Sequence, residues 1–250
     1  MNIRKYDALD STNEEARRLA EAGEAGPLWI SAREQSAGRG RRGREWVSQA
    51  GNLFATLLLR PQRPPDQCAQ LSFVAALAVG DVVARFAPSA RVALKWPNDV
   101  LLDRKKVAGM LLESSGAKAR VDWLAVGIGI NLANFPDGVE FPATSLAAVT
   151  GRAPDADEAL SRLAGRWDAW YETWMNSGFQ PIRDGWLARA SGLGERVNAR
   201  LANREVQGVF EGLADDGALI LRETGGKQTR IAAGEVFFGT AHIPPPARGR

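Results

Sequence analysis

Cysteine and histidine are almost missing: the chain has one of each, Cys68 and His242. One cysteine cannot close an internal disulfide or complete a zinc site. One histidine, eight residues from the end, counts against Ser-His-Asp and Cys-His catalysis. No apolar run reaches the roughly 18 residues of a membrane span. The opening residues Met1-Asn2-Ile3-Arg4-Lys5-Tyr6-Asp7 carry no apolar signal region. Together these absences point to a cytoplasmic protein with no membrane partner. Charge imbalance is also scarce. Lys plus Arg is 32 and Asp plus Glu is 29, a net of +3. Arg39, Arg41, Arg42 and Arg44 all lie within residues 38–44, and without them the count is 28 against 29. The broad basic face of a general nucleic-acid binder is therefore absent. One basic loop suits a small anionic ligand held at one place.

What is present describes an ordinary globular chain. Its 250 residues, at roughly 150 per domain, make one large domain with a small addition. Ser11-Thr12-Asn13-Glu14-Glu15 has capping-box spacing and predicts a helix running to about Ala22. Strands are predicted over 28–32, 52–60, 92–95, 106–113 and 123–130, and one long helix over 66–86. Helices over 155–176 and 179–190 follow, the first with Trp167, Trp170 and Trp174 on one face as a core seam. From about residue 195, short alternating strands with turns at Asp215-Asp216-Gly217 and Gly225-Gly226 predict a small β-barrel. The tail over 243–250, rich in Pro and Arg, is expected to be disordered.

Four segments have the makings of a site. Gly38, Gly40 and Gly43 fit the letters of a dinucleotide fingerprint, but the next element reads as a strand, not the helix that fold requires. A glycine loop bearing four guanidiniums can instead close over a phosphate chain. Its arginines would repel one another until an anion arrives; the bland reading is a solvated loop. Lys95-Trp96-Pro97-Asn98-Asp99 places an ammonium, an amide and a carboxylate on a rigid turn, where Asp99 could hold magnesium or orient Lys95. Arg104-Lys105-Lys106 precedes an apolar strand and by periodicity reads as a solvated loop. Gly127-Ile128-Gly129-Ile130-Asn131 puts two glycines inside a strand, which suggests something packed against bare backbone.

Taken in this order, with Asp10-Ser11-Thr12-Asn13 before them, these segments resemble the biotin–protein ligase family. The catalytic motifs fall in residues 7–131. The resemblance implies an α+β fold: a mixed β-sheet packed with helices over 1–191, akin to class II aminoacyl-tRNA synthetases and lipoate ligases. A small SH3-like β domain over 192–242 follows. It implies an ATP-dependent ligase that makes biotinyl-5′-AMP and passes the biotinyl group to a lysine of a biotin carboxyl carrier protein, as in acetyl-CoA carboxylase or a related carboxylase. Magnesium is implied beside ATP and biotin. Ser11, Thr12, Asn13 and Gln35 match biotin contacts, although Ser11 and Thr12 are also capping residues. Arg39, Gly40 and Arg41 match the loop that folds over biotin and the phosphates. Lys106, rather than Lys105, matches the lysine beside the reacting carboxylate, so Lys106, Arg39 and Arg41 are the implied catalytic groups. Trp46, Lys95, Asn98 and Asn131 match nucleotide-side positions, with Asp99 at the metal side; a plain core role for Trp46 stays open. Catalytic motifs starting at residue 10 imply no N-terminal DNA-binding repressor domain, and so no DNA partner. A homodimer is left open. The alternatives are a lipoate–protein ligase, which shares fold and chemistry, and a nucleic-acid-binding module built on the Arg loop.

Overall fold

Ser11 leaves the first strand in an extended conformation, and its hydroxyl accepts from the Asn13 backbone N–H. That cap starts helix α1 (Thr12–Glu21), whose acidic first turn suits the positive end of the helix dipole. Ser11, not Thr12, is the cap. Glu14 turns to Arg17 and Arg39 instead of completing a capping box. The structure, a computed structural model, describes residues 2–117 and 119–238.

Strands β1 (Ile3–Leu9), β2 (Leu28–Gln35), β3 (Leu53–Leu59), β4 (Val92–Lys95), β5 (Asp99–Leu102), β6 (Lys105–Ala117) and β7 (Arg120–Ile130) form one sheet. Its order is β1-β2-β3-β7-β6-β5-β4. Only β1 and β2 run parallel, joined through α1; every other ladder is antiparallel. The interior strand β3 is buried at every position, because both faces of the sheet are covered. On one face α1 packs Ala16 and Ala20 against Leu28, Ile30, Leu58 and Ala125. On the other lie α2 (Pro65–Ala69), α3 (Leu71–Phe86), α5 (Ala156–Ser177) and α6 (Gln180–Leu187); the short α4 (Leu146–Thr150) follows β7 in the chain.

Helix α3 has eleven buried residues among its sixteen, so it is apolar nearly all round. Pro65–Phe86 is therefore long and apolar enough, by length and composition, to cross a membrane, contrary to the sequence expectation. In the fold 67% of its most apolar 18-residue window is buried as core. The single helix expected over 66–86 is two, meeting at Gln70. The Gln70 amide there accepts from Trp174 Nε1 and donates to the Asp215 carbonyl. The tryptophan seam lies as expected, with Trp167 and Trp174 buried against the core.

Strands β8 (Arg196–Arg200), β9 (Glu205–Leu213), β10 (Leu219–Arg222), β11 (Gln228–Ile231) and β12 (Glu235–Phe238) form a second, antiparallel sheet in the order β11-β10-β9-β8-β12. Phe210 of β9 meets Trp186 of α6 edge-on, and Trp186 meets Phe73 of α3. Both sheets thus draw on one apolar core. Three strands were not foreseen. β1 is a half-exposed edge carrying Arg4 and Lys5, β5 begins inside the Asn98-Asp99 turn, and β12 follows the last predicted strand. The expectation of a disordered tail over 243–250 lies outside the described residues.

Candidate active site

All thirteen residues singled out from the sequence line one cavity of about 270 Å³ on the α1 face of the first sheet. Ser11, Thr12 and Asn13 enter from the start of α1, Gln35 from the end of β2, and Arg39, Gly40, Arg41 and Trp46 from the Arg loop. Lys95, Asn98 and Asp99 come from the β4–β5 turn, Lys106 from β6, and Asn131 from the end of β7.

One end of the cavity is polar and largely neutral. Gln35 Oε1 accepts from the Thr12 backbone N–H at 2.8 Å and from its hydroxyl at 3.1 Å. The Gln35 amide donates to Ser48 Oγ. Asn13 Nδ2 donates to Glu113 at 2.7 Å. Thr56 Oγ1 lies 2.6 Å from Asn13 Oδ1 and 2.8 Å from Thr12 Oγ1, and its single proton serves one at a time. Such a network fixes donors and acceptors in place for a polar ring. Thr56 and Glu113 were missed in the sequence. Thr56 had a signal, being the only polar residue of β3; Glu113 had none.

The floor beside this end is bare backbone. Gly109 of β6 and Gly129 of β7 are direct cross-strand partners. The Trp46 ring lies over them: a Cβ at Gly129 would sit 2.5 Å from it, and one at Gly109 3.0 Å. A Cβ at Gly127 would run into the Asn13 side-chain amide, so both glycines of the predicted strand, Gly127 and Gly129, are explained by close approach. Trp46 Nε1 is buried without a partner among the described residues. Lys106 Nζ lies 5.2 Å from the centre of the same ring, within cation–π range.

The middle is cationic. Lys106 Nζ approaches Asp99 Oδ1 at 2.7 Å, and Lys95 Nζ lies 3.5 Å from Oδ2. Burial pushes the Asp99 carboxyl up, but the two ammoniums outweigh it and hold it below its ordinary value. Burial also lowers Lys95, which Asp99 only partly offsets. With both oxygens facing ammoniums, Asp99 does not fit the expected role of metal ligand. No group of three metal-ligating side chains exists among the described residues. Asp99 instead orients Lys95 and Lys106. The solvated-loop reading of Lys106 is corrected: its neighbour Lys105 is exposed, whereas Lys106 turns in.

The Arg loop is not waiting for an anion, as its density had suggested. Arg39 pairs with Glu14 at 2.6 Å and Glu113 at 3.1 Å, and Arg44 pairs with Glu235. Arg41 donates to Asn98 Oδ1 at 3.3 Å and to the Gly234 carbonyl at 3.4 Å. Burial lowers the Arg41 guanidinium from its ordinary value. The repulsion is relieved in part by carboxylates distant in sequence, which reach Arg39 and Arg44. Around the far end of the cavity, Lys95 Nζ stacks 4.1 Å from the Phe141 ring and 5.7 Å from that of Phe237. Phe141, Phe237 and Glu235 were also missed, because they come from a loop and from β12 with no local pattern to mark them. Asn131 sits below, donating to the Thr144 carbonyl.

The cavity therefore offers a neutral polar end, a flat apolar floor, a cationic centre and an aromatic end. It can hold a carboxylate against a phosphate chain without a side-chain nucleophile.

Residues 7–131 match the Biotin/lipoate A/B protein ligase family, and residues 192–239 match the Biotin protein ligase C terminal domain. The chain is 55% identical over 239 residues to a biotin--[acetyl-CoA-carboxylase] ligase of Paracoccus denitrificans, covering 92% of this chain and 98% of the relative. It is 35% identical to the bifunctional ligase/repressor BirA of Bacillus subtilis, covering 94% of this chain and 73% of that one. A structure of a biotin protein ligase from Aquifex aeolicus in complex with biotin and ATP superposes with a TM-score of 0.81 at 31% identity, over 94% of this chain and 97% of the other.

Proposed function

The chain belongs to the biotin/lipoate A/B protein ligase family, and from that premise we propose how its cavity performs a biotin ligase's two steps. In the first, a biotin carboxylate oxygen attacks the α-phosphorus of ATP; the bond to the bridging oxygen breaks and pyrophosphate leaves. In the second, the amine of a carrier lysine attacks the acyl carbon of biotinyl-5′-AMP, losing a proton as AMP departs. The carrier is the biotin carboxyl carrier domain of acetyl-CoA carboxylase or a related carboxylase, and the setting is the cytoplasm. Residues 1–191 act as the catalytic unit, with residues 192 onward as the small β unit.

The observation that carries this reading is the convergence of the neutral network, the glycine floor and the cationic centre on one cavity. The ureido ring of biotin meets Ser11, Thr12, Asn13 and Gln35. The valeryl chain runs along the Trp46 ring that covers the glycine floor. Its carboxylate arrives beside Lys106, while Arg39 and Arg41 face the phosphates. Two anions must meet in the first step, and preorganised cations lower that barrier without reorganising. The nucleotide lies among Trp46, Lys95, Asn98 and Asn131. Magnesium supplies charge neutralisation when it accompanies ATP, but Asp99 is not set to hold it, and no step here depends on it. Two of the loop's arginines, Arg39 and Arg44, are already paired with Glu14, Glu113 and Glu235, which counts against its serving as a nucleic-acid surface.

Biotin-dependent exchange of labelled pyrophosphate into ATP tests the first step. Lipoate in place of biotin is expected to support no exchange; exchange with lipoate alone would turn the reading to a lipoate ligase.

A further inference from the structure

Trp96 stands in the middle of the Lys-Trp-Pro-Asn-Asp turn, yet faces away from the cavity that its neighbours line. Its ring is 2% exposed, and its Nε1–H donates to the Gly217 carbonyl at 3.0 Å. Gly217 belongs to the β9–β10 turn of the second sheet. That turn is seated at three further points. Gln70 Nε2 donates to the Asp215 carbonyl at 3.2 Å, Arg183 pairs with the Asp215 carboxylate at 2.5 Å, and the Phe73 ring lies directly under Gly217. At Gly217 φ is +82°, so both the backbone conformation and the missing Cβ are required there.

On the cavity side the Lys-Trp-Pro-Asn-Asp turn carries Lys95, Asn98 and Asp99. Asn98 donates to the Met110 carbonyl at 2.6 Å and accepts from Arg41. Among the described residues, Ser11, Thr12, Asn13 and Gln35 make no hydrogen bond to the second sheet. Ser11, Thr12, Asn13 and Gln35 are bonded among themselves and to Thr56, Ser48, Leu111 and Glu113.

We infer that Trp96 is a positioning residue: beside the contacts that Arg41 and Arg44 make with Gly234 and Glu235, its bond to Gly217 is the tie through which the small β unit sets the nucleotide half carried by the Lys95–Asp99 turn, leaving the Ser11-Thr12-Asn13-Gln35 network independent. This rests on the reading of the cavity as an adenylation site.

The test is Trp96→Phe, which keeps an aromatic ring, removes the N–H and leaves the Gly217 carbonyl buried without its donor. Gly217→Ala is the second variant. It keeps Trp96, but its Cβ would run into Phe73 and lift the turn. Melting temperature confirms that each variant folds, and either one alone carries the test. The expected result is a KM for ATP raised about tenfold, the scale of one lost buried hydrogen bond. The biotin dissociation constant, measured by titration without ATP, should stay within about twofold, well inside what one such bond is worth. Loss of active fraction would lower kcat at unchanged KM. That pattern, parallel weakening of biotin and ATP, or no change at all would overturn the inference. Absence of biotin-dependent exchange in the unmutated protein would contradict the adenylation reading itself.

Discussion

Replacing Lys106 with alanine should separate chemistry from folding. The ammonium sits 2.7 Å from Asp99 and lines the cavity in which the proposed reaction brings carboxylate and phosphate together. A unit charge about 4 Å from developing negative charge, at an effective dielectric near 20, is worth about 4 kcal/mol. Part of that is already committed to Asp99, so the loss in the transition state should be about 3 kcal/mol, a little over a hundredfold in rate. The fold should tolerate the change, because Asp99 retains Lys95 at 3.5 Å and is not left alone. A stability loss of about 1.5 kcal/mol would lower Tm by roughly 3–6 °C for a chain of this size. The assay is biotin-dependent pyrophosphate exchange at 25 °C, below either melting transition, with Lys105→Ala in parallel. Lys105 is exposed and makes no ion pair among the described residues, so its variant should stay within about twofold, in the range of a surface charge. Equal losses in the two variants, or a loss in Lys106→Ala smaller than tenfold, would refute the electrostatic argument.

Arg41→Ala should still form biotinyl-5′-AMP but release it sooner, since Arg41 ties the loop across the cavity to Asn98 and Gly234. A biotin blot of a bystander protein should then show more labelling than with the unmutated enzyme, and equal labelling would leave Arg41 as mere surface charge. Asp99→Asn leaves two ammoniums without their counter-charge and should cost on the order of 3 kcal/mol in urea unfolding. Because the folded Asp99 carboxyl lies below its ordinary value, its contribution is complete above about pH 4 and fades as pH falls through the folded value. The variant's stability should therefore fall less steeply in that acid window; an unchanged acid limb would contradict the pairing. Gly129→Ala pushes a Cβ into the Trp46 ring. It should weaken biotin and ATP binding about tenfold or more, the effect of roughly 1–3 kcal/mol of overpacking, and unchanged affinities by calorimetry would remove the glycine floor from the site.

The sequence was most legible where physics is local. Ser11 could be read as a cap, the apolar run of β3 as a buried strand, and Gly127 and Gly129 as points of close approach, because each depends on neighbours a few residues away. The site was legible as motifs, whose residues do share one cavity. Illegible were the partners that only folding supplies. Glu14, Glu113 and Glu235 neutralise the Arg loop from 25 to 191 residues away. Phe141 and Phe237 reach Lys95 from separate segments. Asp99 looked like a metal ligand because nothing in its own segment reveals that Lys106 will fold back onto it. β1 escaped notice because an edge strand exposes alternate polar residues and lacks the apolar run that marks β3.

The most direct test is the intact mass of a biotin carboxyl carrier domain incubated with this protein, biotin and ATP with magnesium. The account predicts a gain of one biotinyl group on a single lysine, lost when biotin or ATP is left out or when that lysine is replaced by arginine. An unmodified carrier, or one that takes up lipoate and not biotin, would contradict it.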